Sequence, residues 1–216
     1  MIFRLNDDDI EFPPTELAED DGLLAVGGDL SPQRLLNAYS LGIFPWYSEE
    51  TPILWYSPHE RFVLFPHKLK ISKSMRQLLK SGKFRITEDQ AFPEVIKACA
   101  EVERKDQPGT WILDEMQEAY IKLHQLGYAH SIEVWYEGRL VGGLYGVKCG
   151  NVFCGESMFS KMSNASKTAL VWLCQNKGYN LIDCQVHTEH LESMGAEFIS
   201  REEYMEILYS GESKTA

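Results

Sequence analysis

The 216 residues carry 21 Lys+Arg against 32 Asp+Glu, a formal charge of −11, and are 44% hydrophobic and 25% charged. That balance suits one globular domain, or one with a small appendage, and supplies a sizeable core. No apolar run approaches the roughly 18 residues of a membrane span, and MIFRLNDDDIEF puts acids where a targeting peptide would carry bases.

A charge of −11 argues against nucleic acid as a partner. Five cysteines (Cys99, Cys149, Cys154, Cys174, Cys184), odd in number and without a CxxC pair, predict reduced thiols in a cytoplasmic protein. The charge is uneven. Residues 1–30 hold nine acids and one base. The segments FPP (12–14), LLAVGGDL (23–30), IFPW (43–46) and ILWYSP (53–58) are rich in Pro, Gly and aromatics. They predict a small irregular N-terminal domain over residues 1–60, with a second domain over 61–216. Within the first, Ser31 caps a helix over 31–42, with Pro32 at its first position and Gly42 past its end.

Residues 61–87 hold eight bases and no acid, which leaves −19 on the other 189 residues. A short helix is predicted there, capped by Ser72 and closed by Gly82. Lys73, Arg76 and Lys80 share one face; Met75, Leu78 and Leu79 share the other. Lys83 and Arg85 extend the basic stripe. A basic stripe backed by a buried face suits a polyanion; the plainer alternative is a solvated helix face.

FRIT (84–87) reads as a strand, and Asp89 as the cap of a helix to about Glu103. Asp114 is read as the cap of a second helix ending at Gly127. Residues 129–136 and 139–147 flank Glu137-Gly138, a hairpin, and 151–155 adds a third strand. A helix over 164–178, a buried strand over 180–185, a short helix opened by Thr188 and a strand over 196–200 follow. Ser200 and Glu203 form a capping box for a last helix. The step from 151 to 185 predicts a right-handed parallel crossover.

The order of these elements resembles the Gcn5-related N-acyltransferase fold: α+β, a mixed sheet flanked by helices, whose central strands splay apart around the reactants. Members of that fold hold the pyrophosphate of acyl-CoA on a glycine-rich loop. Here the corresponding stretch is GESMFSKMSNASK (155–167), with no glycine between Gly155 and Gly178, so the backbone cradle is missing.

Longer stretches carry a closer resemblance. GLLAVGGDLSPQRLLNAYSLGIFPWY (22–47), ILWYSPHERFVL (53–64), GTWI (109–112), FCGESMFSKMSNASKTAL (153–170) and LIDCQ (181–185) resemble the leucyl/phenylalanyl-tRNA–protein transferase family. Tyr56 and His59 depart from that family's WWSP-D/N stretch. The resemblance implies transfer of Leu or Phe, with Met a third candidate, from aminoacyl-tRNA to the α-amine of proteins beginning with Arg or Lys. The product would carry a destabilising N-terminus for protein degradation.

Ester-to-amide transfer is downhill and requires neither metal nor cofactor; the resemblance implies aminoacyl-tRNA as the substrate. An α-amine titrates near ~8, so orientation and oxyanion stabilisation can supply much of the rate. The resemblance places Asp183 and Gln185 at the reaction centre, two residues apart on a strand and so expected to face the same way. Asp183 is expected to hold the acceptor ammonium and Gln185 to orient the amine, since a carboxamide is a very weak base. Asp183 could instead cap a neighbouring backbone amide. Glu156 is expected to select the cationic acceptor, or else to hold the donor's amine.

Leu144, Phe153, Met158 and Leu170 are candidates for the donor side-chain pocket, or plain core. Trp46 and Trp111 are implied as stacking walls for the terminal adenine, and Lys73, Arg76, Lys80, Lys83 and Arg85 as the tRNA-binding face. His187 has no assigned role, and Cys184, His187 and His190 lack a fourth ligand for zinc. A CoA-dependent N-acyltransferase of the same fold, a non-catalytic tRNA-binding module and an enzyme of peptidoglycan bridge synthesis are the alternatives. A cytoplasmic monomer is expected, without membrane contact.

Overall fold

The computed structural model describes residues 2–6, 8–102 and 112–210. Its first 56 residues build a small sheet from β1 (Phe3–Leu5), β2 (Leu23–Gly27), β3 (Phe44–Pro45) and β4 (Leu54–Tyr56), in the order β1-β2-β4-β3. This corrects the expectation of an irregular segment. Strands of two to five residues interrupted by Pro and Gly leave no periodic signal to read. Helix α1 (Pro32–Ser40) lies between β2 and β3. Its start matches the sequence: the Ser31 side chain accepts from the Arg34 amide, Pro32 leads, and Gly42 follows at φ +70°.

β5 (Glu60–Leu64) enters a second, seven-stranded sheet. The sequence pattern predicts no strand there, because an apolar run in a basic segment carries no period of two. α2 (Lys73–Lys80) follows, capped by Ser72. Then come β6 (Arg85–Glu88), α3 (Phe92–Ala100) and α4 (Asp114–Gln125). β7 (Ala129–Tyr136), β8 (Arg139–Cys149) and β9 (Val152–Ser160) form an antiparallel meander. The turn between β7 and β8 places Glu137 and Gly138 at φ +49° and +76°, the left-handed pair a tight hairpin needs. α5 (Ala165–Asn176), β10 (Leu181–Gln185), α6 (Glu189–Ser193), β11 (Glu197–Ser200) and α7 (Arg201–Tyr209) complete the chain. The sheet order is β11-β5-β10-β9-β8-β7-β6. β9 and β10 are parallel across α5, while β5 runs antiparallel to β10 and β11.

Two helix caps differ from expectation. Asp89 is not the cap of α3; that place is Ala91. Asp89 sits at φ +57°, its carboxylate accepting from the Ser131 amide at 2.8 Å and from His130 Nδ1 at 2.7 Å. Those bonds to β7 hold its carboxyl below the usual range, against burial. Asp114 lies in the first turn of α4 rather than at its cap, which is Leu113. Glu103 is outside the described residues.

Side-chain alternation divides the core between the two faces of the large sheet. Val63, Val152, Cys154, Leu181 and Tyr145 face α3, α4, α7 and the small sheet. Phe62, Leu64, Leu144, Phe153 and Ile182 face α5 and α6. α5 packs tightly on β8: a Cβ on Gly142 would come within 2.4 Å of the Ala165 methyl. All five cysteines are thiols. Among the described residues no helix is long and apolar enough to cross a membrane.

Candidate active site

β9 and β10 pair only from Val152 to Cys154 and from Leu181 to Asp183. Beyond that point they part, and a cavity of about 520 Å³ opens between them. Its walls come from Phe44–Trp46 of the small sheet, Leu144 of β8, Phe153 and Gly155–Met158 of β9, Leu170 of α5, and Asp183–His187.

Glu156 stands on β9 and is only 7% exposed. Its Oε1 accepts from the Tyr39 hydroxyl at 2.7 Å and from Gln185 Nε2 at 2.8 Å; Oε2 accepts from the Tyr120 hydroxyl at 3.2 Å. The two tyrosine hydroxyls also touch each other. Tyr39 comes from α1 and Tyr120 from α4, so helices on one face of the sheet anchor a residue that opens onto the cleft. Burial pushes the Glu156 carboxyl up to about 7, against those three hydrogen bonds; the charge of Asp183 pushes the same way.

Gln185 ends β10 at φ +60°. The ladder to β5 shifts register between Asp183 and Gln185. The simple alternation expected for positions i and i+2 therefore breaks at this point. Asp183 is fully buried. Its Oδ2 is ion-paired with Arg61 and its Oδ1 accepts the Gln185 amide at 2.9 Å. The carboxylate expected to meet an acceptor ammonium thus already has a cationic partner within the chain. Asp183 also caps a neighbouring backbone amide, that of Gln185.

Leu144 and Met158 are directly opposite across β8 and β9. With Phe153 and Leu170 they belong to one apolar cluster and border the cavity. Trp46 is half-buried against Tyr56, ring centroids 6.0 Å apart, at the cavity wall. Trp111 lies outside the described residues. His187 borders the cavity, stacks on Phe198 and bonds Glu192 at 3.0 Å.

Lys73, Arg76, Lys80, Lys83 and Arg85 are all exposed. Met75 is buried beneath them, and Leu79 packs on the apolar cluster that borders the cavity. Among the described residues, the potential metal ligands that converge are Glu88, Asp89 and His130, away from this cleft, and Lys177 already pairs with Glu88.

The sequence pattern does not single out Tyr39, Tyr120 or Arg61 as site residues. Tyr120 falls on the apolar face of α4, where a hydroxyl looks like core. Arg61 did carry a signal: a charge leading into the apolar run FVLF, which demands a buried partner.

Residues 63–209 match the family model described as leucyl/phenylalanyl-tRNA protein transferase, and residues 28–59 match the model of that family's N-terminal domain. The chain is 59% identical over 210 residues to the leucyl/phenylalanyl-tRNA–protein transferase of Syntrophobacter fumaroxidans, covering 96% of this chain and 89% of that one. Against the protein of the same name from Flavobacterium johnsoniae it is 54% identical, covering 94% and 97%. Among solved structures, a GCN5-related N-acetyltransferase from Kribbella flavida aligns with TM-score 0.37 and 8% identity, over 74% of this chain and 57% of that chain.

Proposed function

The chain belongs to the leucyl/phenylalanyl-tRNA–protein transferase family and is an aminoacyltransferase, and from that premise we propose that it acts on proteins beginning with Arg or Lys. It joins Leu or Phe, with Met a further donor, to their α-amine. The product enters protein degradation. The observation that carries this reading is Glu156, a nearly buried carboxylate whose three hydrogen-bond donors are all uncharged. Such a group is short of a cation, and a cationic acceptor supplies one.

The roles follow from position. Glu156 receives the cationic end of the acceptor. Gln185 orients the α-amine toward the ester. Asp183 acts one step back, by fixing the Gln185 backbone. Leu144, Phe153, Met158 and Leu170 house the donor side chain; adaptable Met and unbranched walls favour Leu, Met and Phe over β-branched guests. Trp46 stacks on the terminal adenine with Trp111 as its partner, and the exposed basic face of α2 follows the acceptor-stem phosphates. The amine nitrogen attacks the ester carbonyl. A C–N bond forms, the C–O bond to the ribose breaks, and the amine proton leaves with the ribose oxygen. No cofactor enters this scheme. The enzyme works as a cytoplasmic monomer.

Incubation with labelled Leu-tRNA or acetyl-CoA and an Arg-initiated peptide tests the reading. Labelled peptide from the tRNA alone is expected. Transfer from acetyl-CoA, or none from tRNA, would overturn it.

A further inference from the structure

Both arms of the cleft begin at one guanidinium. Arg61 lies on β5, 2% exposed. One end of its fork is ion-paired with Asp183, and the other, Nη1, donates to the Gly42 carbonyl at 2.8 Å. The rings of Phe44 and Tyr204 clasp it, their centroids 4.8 and 4.5 Å from the guanidinium carbon.

Each end leads to Glu156. From Asp183 the path runs through the Gln185 amide to the Gln185 side chain and so to Glu156 Oε1. From Gly42 it runs back along the last turn of α1 to Tyr39, whose hydroxyl donates to the same oxygen. The result is a closed loop that crosses from the small sheet to the large one. Phe44, two residues past Gly42, also lines the cavity.

A buried ion pair is weak evidence for stability, since apolar residues of similar volume often do as well. What the fork supplies is geometry: two donors in one rigid plane, which a lysine cannot offer. The left-handed backbone at Gln185 needs such a holder, because a non-glycine residue rarely adopts it.

We infer that Arg61 is a positioning residue for aminoacyl transfer, holding the Gln185 carboxamide and the Glu156 carboxylate in register by gripping Asp183 and Gly42 at once. This rests on the roles of Gln185 and Glu156 given above.

Arg61→Lys keeps the charge and loses the fork. Its single-turnover transfer rate should fall by at least about 30-fold, as misplacement of around 1 Å does. The double variant with Gln185→Ala should lose less than the product of the two single losses, since one of the two paths from Arg61 runs through Gln185. Full rate in Arg61→Lys, or losses that multiply, would overturn the inference. Should Arg61→Lys fail to fold, Tyr204→Leu loosens one face of the clasp from outside the cavity. Several-fold loss, smaller in the Gln185→Ala background, is expected; an unchanged rate refutes. One readout needs no transfer. Hydrogen bonds from Tyr39 and Gln185 hold the Glu156 carboxyl down, so releasing the fork should move its midpoint upward in carboxyl 13C NMR of the ligand-free protein. An unmoved midpoint contradicts the inference. If Gln185→Ala alone retains full transfer, the role of Gln185 fails, and this titration still decides Arg61.

Discussion

At the residue scale, Glu156 sets a pH dependence whose sign can be worked out. Its carboxyl titrates near 7 in the folded chain, against an ordinary value of 4.5. Between those values the folded chain keeps a proton that the unfolded chain has released. Stability from this group is present below 4.5 and is lost as pH rises toward 7. Glu156→Gln has no such proton, so its Tm should decline less than the wild type's between pH 5 and 7.5; parallel curves would contradict this. Function runs the other way, because only the ionised carboxylate attracts a cation. The KM for an Arg-initiated peptide should rise as pH falls below about 7, and Glu156→Gln should raise it at least about tenfold at pH 8, the scale of one charge-assisted hydrogen bond. If donor affinity falls instead, Glu156 holds the donor's amine.

At the element scale, α2 separates tRNA binding from chemistry. Its polar face is exposed while Met75 is buried and Leu79 packs on the apolar cluster that borders the cavity. Replacing Lys73, Arg76 and Lys80 with Ala should weaken a full-length tRNA donor and reduce its salt dependence by about 0.7–0.9 in log–log slope for each phosphate no longer neutralised. An aminoacyl-adenosine donor, which lacks those phosphates, should be spared; equal weakening of both makes the stripe a mere solvated face. Elements bounded by chemical punctuation were legible. Ser31-Pro32 with Gly42, Ser72, Glu137-Gly138, Thr188 and Ser200 each mark a boundary that the structure keeps. Asp89 misled because long-range bonds to β7 outweighed a local cap. β5 leaves no local signal, because its two neighbours lie more than a hundred residues away, at Ile182 and Ser200. The site was legible as residue types, Glu156, Asp183 and Gln185 among them. Its wiring was not: nothing local to Tyr39, Arg61 or Tyr120 reports that all three converge.

At the scale of the whole molecule, a charge of −11 is the sum of a basic face and acidic surroundings, so it says little about partners. The placement of hydroxyls says more. Tyr39 and Tyr120 have their phenols pushed well above 10, first by burial and next by the Glu156 charge. Tyr204, beside Arg61, is raised too, by burial and then by Asp183. Above pH 10 an unfolded chain sheds these protons while the folded chain retains them, so alkali draws the equilibrium toward unfolding. The three phenols act as an optical latch on the cleft. Their ultraviolet phenolate band should emerge late and abruptly, together with loss of the far-ultraviolet dichroism of the sheet, whereas exposed phenols titrate gradually. A smooth rise of all ten tyrosines near pH 10, with dichroism intact, would mean that the latch is open in solution.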